Sequence, residues 1–140
     1  ALAEFAAHFK DNPLVMDQWF SVQAASGLPG GLQRVQALMA HPAFTLKNPN
    51  KVRALIGAFA GQNLDNFHAA DGSGYRFLAD QVISLNASNP QIASRQLAPL
   101  TRWRKYDSAR QALMQAQLQR ILSSGELSAD VYEVLSKSLA

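Results

Sequence analysis

No cysteine occurs in the 140 residues, which excludes a disulfide framework, thiol chemistry and a thiolate zinc site, and fits a reducing compartment. Charge is scarce as well: 16% of residues are charged, 13 basic against 10 acidic, for a net +3. That balance is too mild for the dense basic patch of a nucleic-acid domain. No apolar run approaches the roughly 18 residues of a membrane span, and nothing resembles a signal peptide. A cytoplasmic location, with neither membrane nor nucleic acid as partner, is the expectation. The H-E-x-x-H pattern that sets two imidazoles on one helix face is missing. His8, His41 and His68 stand far apart with no carboxylate at ligand spacing; they read as ordinary surface or half-buried histidines, and no metal ligand is assigned. No Ser, His and Asp set marks a nucleophile, so no catalytic residue is assigned either. Asp71-Gly72-Ser73-Gly74 begins like a calcium loop but lacks the remaining oxygen ligands and closing Glu. It also lacks the Lys of a phosphate loop, which leaves a helix cap. No segment alternates with period two for long enough to make a strand.

What is present is apolar surface at helical spacing. Apolar residues make up 48% of the chain, enough for one domain over residues 1–140 that buries roughly two-thirds of its unfolded surface. The clearest element is N-P-N-K-V-R-A-L-I-G-A-F-A-G, residues 48–61. Asn48 supplies a capping oxygen and Pro49 suits the first helical position. Val52, Leu55, Ile56 and Phe59 recur at i, i+3, i+4 and i+7 as one stripe, and Gly61 is a fitting stop. Ala54, Gly57, Ala58 and Ala60 are small enough to admit neighbouring helices. Arg53 fits none of this. A cation in the first turn opposes the helix dipole, so it is either a solvated bystander or faces something anionic.

Asn-Pro opens elements at Asn12, Asn48 and Asn89, and Ser128 opens a last one, at intervals of roughly 40 residues, close to the period of HEAT and armadillo repeats. Leu2 to Phe9 reads as the end of a helix. Pro13 starts the next, with Val15, Met16, Trp19 and Phe20 inward, and the glycines from Gly27 to Gly31 break it. Leu32, Val35 and Met39 form a short return helix ended by His41-Pro42. A turn around Phe67 precedes a helix from Gly74 to Asn86, capped by Asp71 or Ser73, with Tyr75, Leu78, Val82 and Leu85 inside. Pro90 opens a helix that Pro99 must end or kink. Asp107 caps a long helix buried through Met114, Leu118, Ile121 and Leu122 and closed by Gly125. Ser128 starts the last, packed through Val131, Leu135 and Leu139. The fold class is all-α: stacked antiparallel helices in a HEAT/armadillo-like superhelical array. The start at Ala1, without Met, predicts a domain from within a longer chain.

Two constellations bear on binding. Arg102-Trp103-Arg104-Lys105-Tyr106 mixes cations with aromatics as single-strand binders do, or it is an exposed connection with Trp103 in the core. Gln91 and Arg95, four apart, share a helix face. Arg95 follows its Pro by five residues and Arg53 follows Pro49 by four. Equivalent positions of stacked repeats line one surface, so Arg53, Gln91 and Arg95 either converge on a carboxylate-bearing ligand such as a peptide or are merely solvated.

The blocks N-P-N-K-V-R-A-L-I-G-A-F-A-G, F-H-A-A-D-G-S-G-Y-R-F-L and N-P-Q-I-A-S-R resemble the C-terminal domain of bacterial aminopeptidase N, the zinc-dependent alanyl aminopeptidases of the thermolysin-like gluzincin family. The likeness runs from Leu14 to Ala140. It implies a superhelical cap that closes the active-site chamber over a catalytic domain of the same polypeptide. The zinc helix and the G-A-M-E-N motif of that domain are absent, so zinc belongs to the parent enzyme, and the 140 residues alone are expected to be inactive. The resemblance further implies that Gln91 lines the rim of the pocket for the first side chain. It places Arg53 and Arg95 toward the rest of the peptide, in a monomeric enzyme. The departures are the glycine-rich turn at 27–31 and the aromatic in R-W-R-K-Y. A free-standing helical-repeat module that binds peptides is the alternative from another class.

Overall fold

The computed structural model describes residues 13–140, apart from Pro29 and Ala43. The expected helix at Leu2–Phe9, with His8 and the opening Asn12, lies outside the described residues. Every regular element described is helical, as the periodicity required, and the chain packs as two compact units, residues 1–66 and 67–140.

In the first unit α1 (Pro13–Ala25) and α2 (Gly31–Met39) are followed by one helical run in three parts. These are α3 (Pro49–Val52), a π-helical turn (Arg53–Gly57) and α4 (Ala58–Gln62). Asn48 caps the run as its sequence implies: its Oδ1 accepts the Asn50 amide at 2.9 Å, an interaction worth about 1 kcal/mol. Val52, Leu55, Ile56 and Phe59 are all fully buried, each contributing roughly 1.5–3 kcal/mol. Ala54, Ala58 and Ala60 are buried too, and α1 packs directly on the π turn. The Ser21 hydroxyl donates to the Ala54 carbonyl at 2.9 Å across that contact. The π turn itself is not legible in the spacing, since 3.6-residue and wider turns put the same side chains inward here.

Gly61 is not the stop. The run continues through Gln62 and ends at Asn63, which is buried because its side-chain amide donates to the carbonyls of Ala24 at 2.9 Å and Ser26 at 2.7 Å. Tertiary hydrogen bonds, not a left-handed glycine, end this helix. Lys51 is also buried, with Nζ 2.5 Å from an Asp17 carboxylate oxygen and 6.0 Å from the centre of the Phe20 ring. Trp19 lies edge-on to Phe20 with ring centres 5.2 Å apart. Its buried indole N–H has no partner among the described residues, a cost of about 1–3 kcal/mol that the surrounding ring contacts must exceed.

After α5 (Leu64–Phe67), the second unit holds α6 (Ser73–Ser88), α7 (Pro90–Gln96), α8 (Ala98–Thr101), a 3₁₀ turn (Trp103–Lys105), α9 (Ser108–Leu122) and α10 (Ala129–Leu139). Helix α6 packs on α7 and α9, and α10 closes against the same two. Tyr75, Leu78, Val82 and Leu85 form the inner face of α6. The caps at Asn89, Asp107 and Ser128 are present, each side chain accepting a first-turn amide. Pro99 sits in the first turn of a new short helix, where its missing N–H costs nothing.

Several boundaries differ from those expected. Helix α6 begins one residue before Gly74 and runs two past Asn86. Helix α9 ends at Leu122, and Ser124 Oγ donates to the Ile121 carbonyl at 2.6 Å. Gly125, expected to close it, instead takes φ 137° in the turn beyond. Leu32, Met39, Leu122 and Leu139 are half-buried rather than inside. No described helix is long and apolar enough to cross a membrane.

The D-G-S-G stretch has a steric explanation. Asp71 Oδ1 accepts the Ser73 amide at 2.9 Å and the Ser73 hydroxyl at 2.7 Å, so Asp71 serves the helix start while Gly72 turns the chain at φ 75°. At Gly74 a Cβ would overlap the Phe67 carbonyl. Replacing Gly74 with Ala is therefore expected to destabilise the protein by about 3 kcal/mol through overpacking against backbone, read as a lower denaturant midpoint at unchanged slope. A change below about 0.5 kcal/mol would show that the segment can move away.

Candidate functional site

Arg53 stands at the N-terminal edge of the π turn, where the Ala58 amide reaches back to its carbonyl. Its neighbours Val52 and Ala54 are buried and its own side chain is exposed. One guanidinium nitrogen, Nη2, donates to Asn50 Oδ1 one turn back. No carboxylate pairs with it among the described residues. Gln91 and Arg95 project from α7, which Asn89 caps and Pro90 opens. Ile92, Ala93 and Gln96 take the buried side of that helix, leaving Gln91 and Arg95 exposed one turn apart. Neither engages a side chain among the described residues. Gln91 and Arg95 thus share one helix face, as their spacing requires, while Arg53 belongs to the other compact unit.

The Arg102–Tyr106 segment takes the simpler of its two expected forms. Trp103 is buried and its indole N–H donates to the Ser138 carbonyl at 3.2 Å. Arg104 lies 4.3 Å from the Trp103 ring centre and donates to the carbonyls of Ser138 and Ala140 at 2.9 and 2.6 Å. A cation at the end of α10 satisfies its last carbonyls and complements the dipole. Trp103 and Arg104 are thus committed to the fold.

A second polar cluster was not legible in the sequence. His68 Nδ1 lies 2.6 Å from the Tyr75 hydroxyl, and its ring stacks on Tyr106 with centres 4.4 Å apart. Arg110 donates through Nε to the His68 carbonyl at 2.9 Å and through Nη1 to Asp107 at 3.0 Å. Burial, and secondarily the Arg110 charge, push the His68 imidazolium down below the ordinary histidine value. Burial raises the Tyr75 phenol, while hydrogen bonds from Arg110 lower the Asp107 carboxyl. The members come from a loop, two helices and a turn, so no periodicity announces them.

No three His, Asp or Glu side chains come close enough among the described residues to hold a metal ion. The described residues therefore offer no fit for zinc.

The family model described as "Domain of unknown function (DUF3458_C) ARM repeats" matches residues 1–140. The chain belongs to the DUF3458_C family. Relatives of this DUF3458_C domain include aminopeptidase N of Escherichia coli K12, 47% identical over 139 residues, or 99% of this chain and 16% of that protein. Aminopeptidase N of Haemophilus influenzae is 46% identical over 138 residues, again 99% of this chain and 16% of that one. Among solved structures, Legionella pneumophila aminopeptidase A in complex with aspartic acid superposes with a TM-score of 0.93 at 39% identity, covering 99% of the domain and 16% of that chain. The domain thus spans about one-sixth of the length of these relatives, and ARM repeats are what the helical periodicity predicted.

The His68 cluster makes stability depend on pH. A histidine whose folded value is depressed binds its proton more readily unfolded, so its contribution is complete above the ordinary value near 6.5 and is lost as pH falls through the folded value. The His68 imidazole is expected to titrate below 6.5 by NMR. Substitution His68→Gln should flatten the decline in melting temperature between about pH 7 and 5. An unshifted titration or an unchanged decline would refute this.

Proposed function

We propose that this DUF3458_C domain is the C-terminal cap of a zinc-dependent aminopeptidase N that removes N-terminal residues from peptides. The supporting observation is 45–47% identity to aminopeptidase N of three bacteria across 99% of the chain. In this reading zinc and the catalytic groups belong to a catalytic domain elsewhere in the polypeptide, and the domain alone hydrolyses nothing. The enzyme works in the cytoplasm, in keeping with the cysteine-free sequence. The cap narrows the route to the active-site chamber and lends it polar side chains.

Gln91 offers an amide at the rim of the pocket for the first side chain. Arg53 and Arg95 attract and orient the carboxylate or backbone carbonyls of the peptide. Their exposure and the absence of an acidic partner among the described residues support these roles. A guanidinium already neutralised by a neighbouring carboxylate has less to give an incoming anion. The Legionella relative was solved with aspartic acid, a ligand bearing the carboxylates such side chains recognise.

In the full-length protein, Arg95→Ala is expected to raise KM for short peptides by roughly tenfold, the size of one charge-assisted hydrogen bond. Hydrolysis of a small alanyl amide, which lacks the distal carboxylate, should change by less than about twofold. Steady-state kinetics on both substrates decides it: an equal effect on the two, or none on either, overturns the assignment.

A further inference from the structure

Five arginines of the described chain have side-chain or backbone partners that show how each is used. Arg34 donates to the Ser26 and Leu28 carbonyls at 3.2 and 3.0 Å. Arg110 finds a carboxylate three residues back, Asp107, at 3.0 Å. Arg120 finds the Gln117 amide three residues back at 2.8 Å and adds the Asp80 carboxylate at 2.7 Å. Arg104 clasps the last carbonyls of α10. Arg53 uses the same three-residue geometry, but its acceptor is the neutral amide of Asn50 and no carboxylate among the described residues joins it. The acids described within its unit are Asp17, held by Lys51 at 2.5 Å, and Asp65, beside Gly27.

Asn50 is exposed and buries nothing, and its backbone amide is already fixed by the Asn48 cap. Its side chain therefore serves neither the core nor the cap. What it does is occupy one of the five guanidinium N–H donors and leave the others and the full charge free. The π turn that begins at Arg53 adds to this. Such turns sacrifice regular hydrogen-bond register and recur at functional sites; here it begins at the one residue of 51–56 whose side chain is exposed.

We propose that Asn50 is a positioning residue for Arg53, a neutral clamp that fixes the guanidinium while keeping its charge available for the free C-terminal carboxylate of a short peptide. This rests on the aminopeptidase reading above and deepens it, since it names the chemical group that Arg53 recognises and a residue that acts only through Arg53. An aspartate at the same place would clamp as well but would neutralise the charge. It would also stabilise the helix start through the dipole, so local stability does not explain the amide.

The test compares Asn50→Ala, Asn50→Asp and Arg53→Ala in the full-length protein. KM and kcat are measured for a short peptide with a free C-terminus and for the same peptide amidated, together with the melting temperature. Both Asn50 variants are expected to raise KM for the free peptide about fivefold, to change the amidated peptide by less than about twofold, and to leave kcat unaltered. Asn50→Asp should do so with a melting temperature equal to or above that of the parent, a combination that a structural role would not produce. Adding Asn50→Ala to Arg53→Ala should have no further effect, because Asn50 acts through Arg53. If Arg53→Ala is impaired on the free peptide and the Asn50 variants behave as the parent, the clamp is overturned and the wider reading stands. If Arg53→Ala changes neither substrate, the role of Arg53 falls and the clamp with it.

Discussion

Burial on nearly every side of one helical run sets the terms for the first half of the molecule. Between Lys51 and Ala60 only Arg53 is exposed and only Gly57 is half-buried. A helix enclosed to that degree must be apolar around most of its circumference, which the sequence supplies with alanine and branched residues. It also has to accommodate a lysine. Lys51 is tolerated because Asp17 on α1 meets it at 2.5 Å and its ammonium lies over the Phe20 ring, 6.0 Å from the centre. A buried ion pair of this kind adds little net stability but penalises any packing of α1 that separates the partners. The same enclosure explains why a single exposed arginine on the run is conspicuous: it has one way out.

The second half is organised differently. Three helices share an interior of Tyr75, Leu78, Val82, Leu85, Met114, Leu118, Val131 and Leu135, and polar contacts join the ends. Asn86 illustrates this, donating to the Glu126 carbonyl and accepting the Ser128 amide, both at 2.9 Å. It thereby ties the end of α6 to the start of α10 across forty residues of sequence. Trp103 and Arg104 tie the other end of α10.

Local signals carried far in the sequence. Asn48, Asn89, Asp107 and Ser128 each offer a short side-chain oxygen at a place where first-turn amides lack partners, and each is used so. Most of the inner faces followed from spacing, because a 3.6-residue period leaves a long apolar stripe few places to go, although Leu32, Met39, Leu122 and Leu139 lie only half-buried. Helix ends were less legible. At Asn63 the chain ends a helix through side-chain contacts that depend on what packs nearby, and at Gly61 and Gly125 a glycine pattern misled. The site divides along the same line. Gln91 and Arg95 share a face because four residues are about one turn, whereas the Asn50 amide on Arg53 and the His68–Tyr75 contact depend on rotamers and on chain reversal, to which hydrophobic periodicity is blind.

The chain's two tryptophans fall one to each compact unit, and their indole nitrogens differ. Trp103 is hydrogen-bonded and lies under a guanidinium, whereas Trp19 is buried among rings and its N–H has no partner among the described residues. The molecule thus carries a separate optical reporter in each half. Whether the two melt as one cooperative block or as successive foldons is inscribed in its intrinsic fluorescence.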